Sequence, residues 1–267
     1  MAKGDKRPIG VFDSGLGGLT VVRELQKKLP YEHIVYLGDM ARLPYGTKSK
    51  KQIIAFSKNN AAFLLSKNVK VLVVACNSSA ANAYMVLKKS LSIPVIDVIR
   101  PVVKEVATAS GTSVVGILGT TATIVSDVYR KEIQKLKKVS VVSLACPLFV
   151  PLVEEGMLTG AIAESIVKKY VAPIKKAKCT SVVLGCTHYP LLKKAISTVL
   201  GKKITVFDSG PSTAQEVEAV CKEKGLLSAS TAKGRLDIYL TDKSPNFLHV
   251  GERFLKRKID SVKIITI

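Results

Sequence analysis

Short runs of consecutive apolar residues alternate along the chain with longer stretches whose apolar positions recur every three or four residues. Residues 8–12 (PIGVF) read as a buried strand, followed by a glycine-rich turn and an amphipathic helix to about residue 29. Residues 33–37 read as a second strand and 52–66 as a helix. Residues 69–75 read as a third strand, with a helix from about residue 79, and 94–96 is strand-like. Unbroken apolar runs predict strands buried on both faces. Their alternation with amphipathic helices predicts an α/β chain built on mostly parallel sheet flanked by helices.

The pattern then restarts. Residues 113–138 have the layout of residues 8–30: apolar strand, small-residue turn, helix ending in lysines. VKVLVVACNSS (69–79) is echoed by CTSVVLGCTHY (179–189). The two offsets, about 106 and 110 residues, are nearly equal and far too long for a solenoid repeat. Two pseudo-symmetric α/β domains are therefore expected. VFDSG at 206–210 repeats VFDSG at 11–15, which reads as the chain returning to its first half. The expected division is a discontinuous first domain, 1–97 plus 208–267, and an inserted second domain, 98–207.

Composition narrows the class. With 267 residues, 47% of them hydrophobic, the chain can build a large core. No apolar run is long enough to cross a membrane, and MAKGDKRPIG lacks the apolar centre of a signal peptide, so a cytoplasmic protein is expected. Five cysteines at irregular spacing, with no CxxC, argue against a disulfide framework and a zinc cage. The net charge of +21 raises the question of nucleic acid. Its 33 Lys and 8 Arg are scattered in pairs on predicted helix faces, without an arginine-rich arm or an aromatic stripe. No specific nucleic-acid partner is expected; weak binding at low salt, and attraction of an anionic substrate, are.

Ligands of open parallel sheets bind beyond the carboxyl ends of the strands. The turns there hold Asp13-Ser14-Gly15, Cys76-Asn77-Ser78-Ser79, Gly119-Thr120-Thr121 and Cys186-Thr187-His188. Cys76 and Cys186 each sit just past a strand and near the next helix, where positive dipole and free N–H groups lower a thiol's pKa. A single such cysteine reads equally as inert. Two at corresponding places in two halves suit racemisation at a carbon acid, with one sulfur removing the proton from one face and the other returning one from behind. Asp13 is placed to assist Cys76 and His188 to assist Cys186. The structural alternatives are an Asx turn closed by Asp13 and a helix capped by His188. A thiol hydrolase leaves the second cysteine unexplained. GLGG (15–18) lacks the rest of a phosphate-binding fingerprint. The three histidines form no ligand-like pair, and no lysine is marked for pyridoxal phosphate, so neither metal nor cofactor is expected.

FDSGLGGLTV, DMARLPYG, VVACNSSAA, CPLFVPLVEEG and LGCTHYPLL together resemble glutamate racemase, of the cofactor-independent aspartate/glutamate racemase superfamily. These blocks occur in family order between residues 10 and 210, so the likeness covers most of the chain. The resemblance implies two pseudo-symmetric α/β domains with the active site in the cleft between them. It implies catalytic thiols at Cys76, for the D-isomer's proton, and Cys186, for the L-isomer's, with Asp13, Glu154 and His188 as acid–base helpers. Substrate contacts implied by position are Asp13, Ser14, Pro44, Tyr45, Gly46, Asn77, Ser78, Thr187 and His188, with Thr120, Thr121 and Thr123 as further donors. Without the family, Tyr45 reads equally as a packed loop aromatic and Glu154 as a solvated helix residue. The resemblance further implies glutamate as substrate, a homodimer, and supply of D-glutamate for peptidoglycan. Two positions depart from the pattern: Ser78 and Met40 stand where the family usually has Thr. Cys146, Cys179 and Cys221 read as structural. The rival reading is a basic α/β binding protein with a vestigial cleft.

Overall fold

The computed structural model describes residues 4–109, 111–243 and 247–267. Its strands are β1 (Ile9–Asp13), β2 (Ile34–Gly38), β3 (Val71–Val74), β4 (Val95–Asp97), β5 (Val114–Gly119), β6 (Ser140–Ala145), β7 (Ser181–Gly185), β8 (Thr205–Asp208), β9 (Leu236–Leu240) and β10 (Lys263–Ile264). They form two sheets, β10-β9-β2-β1-β3-β4 and β6-β5-β7-β8. Every pairing among the described residues is parallel. The apolar runs explain this. β1, β2, β3 and β7 are buried along their whole length, which parallel strands under helices require.

The helices are α1 (Leu19–Lys28), α2 (Lys50–Ser66), α3 (Asn77–Ser90), α4 (Arg100–Thr108), α5 (Thr121–Val125), α6 (Val128–Leu136), α7 (Phe149–Glu154), α8 (Ala161–Lys176), α9 (Lys193–Leu200), α10 (Ser209–Glu223) and α11 (Phe247–Leu255). α1 packs on α10 and α11, α2 on α3, and α8 on α9. Local chemistry sets several starts. Ser49 and Gln52 form a reciprocal capping box before α2. The Asp208 carboxylate accepts from Gly210 N at 3.0 Å and opens α10.

Two details differ from the sequence reading. The helix expected from about residue 79 begins at Asn77, so Asn77 and Ser78 sit in its first turn. The helix expected to run on toward residue 138 is broken into α5 and α6, because Asp127 adopts a left-handed backbone with φ of 56°. Aspartate tolerates that region better than most residues. The repeated VFDSG lies at the turn from β8, the last strand of the second sheet, into α10, which packs on α1.

At the amino ends of the first sheet, Lys70 is fully buried. Its ammonium donates to Glu32 Oε2 at 2.5 Å and to the Asp5 carbonyl at 2.8 Å. Glu32 Oε1 accepts from Ser228 N at 2.7 Å. One ion pair thus ties the N-terminal segment, the approaches to β2 and β3, and the strand-free stretch after α10. Glu32→Ala strands the ammonium in the core, and such a loss costs about 3–5 kcal/mol. Urea unfolding should show a drop of that size. A drop below about 1 kcal/mol would mean that Lys70 finds water instead.

Candidate active site

The two sheets turn their carboxyl ends toward each other. Asp13 ends β1, and its fully buried carboxylate organises the turn that follows. Oδ2 accepts from Gly15 N at 3.2 Å and Gly18 N at 3.1 Å. These amides are therefore committed to Asp13 rather than free to cradle phosphate. The Tyr36 hydroxyl donates to the Gly15 carbonyl at 2.6 Å and holds the turn from below. Ser14 is thereby placed with its Oγ 3.7 Å from the sulfur of Cys76. Cys76 follows β3 and caps α3, so its thiol and the side chains of Asn77 and Ser78 point into the seam between the halves.

The opposite wall comes from the ends of β5 and β7. Cys186 follows β7, and its sulfur lies 3.9 Å from His188 Nδ1. The other ring nitrogen, Nε2, lies 2.6 Å from Glu154 Oε1, at the end of α7. The imidazole also meets the Phe254 ring edge-on, with centroids 5.0 Å apart. Side chains bond across the seam. Asn77 Nδ2 donates to the Tyr129 hydroxyl at 2.9 Å, and Ser78 Oγ and Thr120 Oγ1 are 2.9 Å apart. Thr20 Oγ1 donates to the Thr187 carbonyl at 3.3 Å.

Two glycines permit this approach. A Cβ on Gly17 would stand 2.4 Å from Thr187 Oγ1 and 2.5 Å from His188 Nδ1. A Cβ on Gly46 would stand 2.7 Å from Thr120 Cβ. All three distances are well inside van der Waals contact, so each glycine is dictated by the opposing half.

Between the walls lies a pocket of about 20 Å³, room for a single water. Both thiols line it, with Ser14, Pro44, Tyr45, Gly46, Asn77, Ser78, Thr120, Thr187 and His188. As it stands the pocket admits nothing larger than a water molecule. Asp13 and Glu154 stand behind this lining and reach it through neighbours. Thr123 is also one step back, with its hydroxyl 3.0 Å from that of Thr120. Thr121 faces outward and is exposed, so it is not among the groups gathered at the pocket. The Tyr45 ring lines the pocket, but its hydroxyl is engaged by Asp39 and Asn60. Of the two departures, Ser78 keeps a hydroxyl in the lining. Met40 lies outside it, packed against the core near Gly15.

Leu43 and Val150 complete the pocket. Both fall inside recognisable blocks, yet an aliphatic residue in a loop or short helix carries no chemical signal. Tyr129 had none either. It looks like one more apolar position on α6, and only the fold brings its hydroxyl to Asn77.

The electrostatics correct one expectation. Cys76 does occupy a helix start, but its pKa is not lowered. Burial and the nearby Asp13 carboxylate push it up to about 12, against the weaker help of Ser79 and Ser14. Burial likewise raises the Asp13 carboxyl, opposed by His188 and the turn amides. For His188, burial works against the charged form. The hydrogen bonds and charges of Cys186 and Glu154 outweigh it, raising the imidazole to about 10. Cys146 is buried, with its sulfur directed at the Leu144 carbonyl at 3.7 Å. Cys179 and Cys221 are buried too, and neither lines this pocket. Among the described residues, no three His, Cys, Asp or Glu side chains gather as metal ligands.

The Asp/Glu/Hydantoin racemase family model matches residues 9–217. A glutamate racemase of Geobacter metallireducens is 42% identical over 96% of this chain and 95% of its own length. The crystal structure of glutamate racemase from Francisella tularensis in complex with D-glutamate superposes with a TM-score of 0.93, at 38% identity and 98% coverage of both chains. An aspartate racemase of Picrophilus torridus, 18% identical with a TM-score of 0.60 over 82% of this chain and 94% of its own, shares the fold. A thiol from each half at one closed seam, on this fold and in this company, marks an amino-acid racemase, an isomerase. The chain belongs to the Asp/Glu/Hydantoin racemase family.

Two predictions follow from the geometry. Gly17→Ala drives the Thr187–His188 segment away, and a displacement of about 1 Å can cost about 10²-fold in rate. Racemisation assays should show kcat/KM falling by that order while the circular dichroism spectrum stays native. The second concerns pH. Folding raises the His188 pKa from 6.5 to about 10, so it favours the protonated ring. That contribution is complete below about pH 6.5 and fades as pH rises through about 10. The stability gap between wild type and His188→Asn, measured by urea unfolding, should narrow over this interval. A constant gap would show that the ring does not titrate there.

Proposed function

We propose that this enzyme interconverts L- and D-glutamate by direct proton transfer at Cα, without cofactor, using Cys76 and Cys186 on opposite faces of the substrate. The observation that carries the reading is the presence of both sulfurs in the lining of one small pocket, each contributed by the end of a different sheet. Likeness to glutamate racemases over nearly the whole chain supports the substrate, with a D-glutamate complex among them.

The resting charges give the reaction a starting form. Cys76, pushed up to about 12, begins as the thiol and therefore as the acid. Cys186 acts as the base in the L-to-D direction, with its sulfur facing the His188 ring. Cys186 takes the Cα proton of L-glutamate, and the electron pair is left on the α-carbon and its carboxylate. Cys76 delivers its own proton to the opposite face, giving D-glutamate and a thiolate at 76. D-glutamate reacts by the reverse path, with Asp13 serving Cys76 and Glu154 holding His188. Ser14, Pro44, Tyr45, Gly46, Asn77, Ser78, Thr120 and Thr187 form the binding surface, backed by Thr123.

The reading extends beyond the pocket. The sheet memberships support a division into 1–97 plus 208–267 and 98–207, with catalysis between the two units. A cytoplasmic homodimer that supplies D-glutamate for peptidoglycan completes the proposal. No helix among the described residues is long and apolar enough to cross a membrane.

Proton NMR in D₂O tests the chemistry. Wild type should remove the α-proton signal from either isomer and yield the opposite enantiomer. Cys76→Ala and Cys186→Ala should each lower racemisation by at least about 10²–10⁴-fold, the usual contribution of one acid–base group. Cys76→Ala should still exchange the α-proton of L-glutamate without inverting it, and Cys186→Ala should do so for D-glutamate. Near-normal racemisation by either variant would overturn the two-thiol assignment. Faster turnover of aspartate would change the substrate and leave the mechanism standing.

A further inference from the structure

Asp39 follows the last residue of β2 and lies outside the pocket, yet its carboxylate is completely buried. Such a group persists only where donors surround it. Thr241, just past β9, donates its hydroxyl to Oδ1 at 2.9 Å. Arg42 Nε donates to Oδ2 at 2.6 Å, and the Tyr45 hydroxyl donates to the same oxygen. Asn60, on α2, closes the ring. Its amide nitrogen donates to the Tyr45 hydroxyl at 3.1 Å, and its oxygen accepts from Arg42 Nη2 at 3.2 Å. Thr241 Oγ1 also accepts from Ala41 N at 3.0 Å. Phe56 packs under both branches, with the Arg42 guanidinium 4.7 Å above its ring and the Tyr45 ring centroid 5.4 Å away.

The backbone enclosed by these bonds matters to the reaction. Between Arg42 and Tyr45 run Leu43 and Pro44, and with Tyr45 and Gly46 they make one wall of the pocket. This wall contains nothing more regular than two three-residue turns, Met40–Arg42 and Tyr45–Thr47. No sheet ladder or long helix sets its shape. Side-chain bonds to one carboxylate do.

We infer that Asp39 is a positioning residue for substrate binding: by holding Arg42, Tyr45 and Thr241 together, it fixes the Leu43–Gly46 wall against which glutamate is seated. Asp39 stands behind the lining and meets it only through the Tyr45 hydroxyl. Its effect passes through the wall, and so belongs to binding more than to proton transfer. The inference rests on the glutamate reading for its substrate, but its structural half does not.

Asp39→Asn keeps the size and removes the charge, leaving Arg42 without its counter-ion. Thr241→Val removes one donor to the same carboxylate and leaves the ion pair intact, so it remains informative if Asp39→Asn folds poorly. For both variants KM for L- and D-glutamate should rise, by about tenfold or more in Asp39→Asn, while kcat per folded molecule stays within about threefold. Amide hydrogen exchange should accelerate across residues 40–48 and stay unchanged around Cys186. Unchanged KM with unchanged exchange at 40–48 would overturn the inference. So would a loss of activity that only tracks the folded fraction at constant KM. If wild type fails to racemise glutamate, the functional reading fails. The exchange pattern of Asp39→Asn then decides the structural half by itself.

Discussion

The structure depends on keeping ionisable groups out of water at a seam with room for one water molecule. Two thiols, an imidazole and an aspartate are buried there, and an isolated buried charge is prohibitively unstable. Each group is held by assigned partners. His188 has Glu154 on one nitrogen and the Cys186 sulfur near the other. Asp13 has two turn amides on one oxygen, and its other oxygen is buried without a partner. That unsatisfied oxygen stands near Cys76, where the proposed chemistry exchanges a proton. The two sheets supply the geometry for all of this, because parallel strands deliver their carboxyl ends, and the turns that follow, to the same side.

Much of this was legible in the chain. The apolar runs at β1, β3, β5 and β7 announce buried parallel strands, and the turn residues after them announce where a ligand goes. The rest was hidden for definite physical reasons. Local propensity does not reveal that Asp127 adopts a left-handed conformation and splits a helix. VFDSG occurs twice with the same short turn, Asp to the second amide onward, yet β8 pairs in the other sheet. Turn chemistry is local and sheet membership is not. The helix-start argument for Cys76 failed because a dipole's benefit is modest and burial beside a carboxylate is not. Thr120, Thr121 and Thr123 share one turn, but residues of a short helix point in different directions. Only Thr120 reaches the pocket.

Charge behaves differently at the surface and inside. The chain carries +21, and many of its lysines stand exposed or in solvent-facing pairs such as Lys27–Glu24 and Lys222–Glu218. Such pairs contribute little to stability. The buried ones define positions. Lys70 with Glu32 knits the amino ends of the first sheet, and Asp39 with Arg42 shapes a loop at its carboxyl end. The first is remote from the pocket and the second borders it, which separates an architectural ion pair from one with a place in binding.

The small closed pocket has a consequence for how successive turnovers relate. On the two-thiol reading, conversion of L to D leaves the proton on Cys186 and the charge on Cys76, the reverse of the starting arrangement. A molecule that has just made D-glutamate is set to consume D-glutamate. It regains its first form only when the seam opens and bulk water carries protons between the sulfurs. On that reading the free protein keeps a memory of its last product until the two sulfurs exchange protons with water.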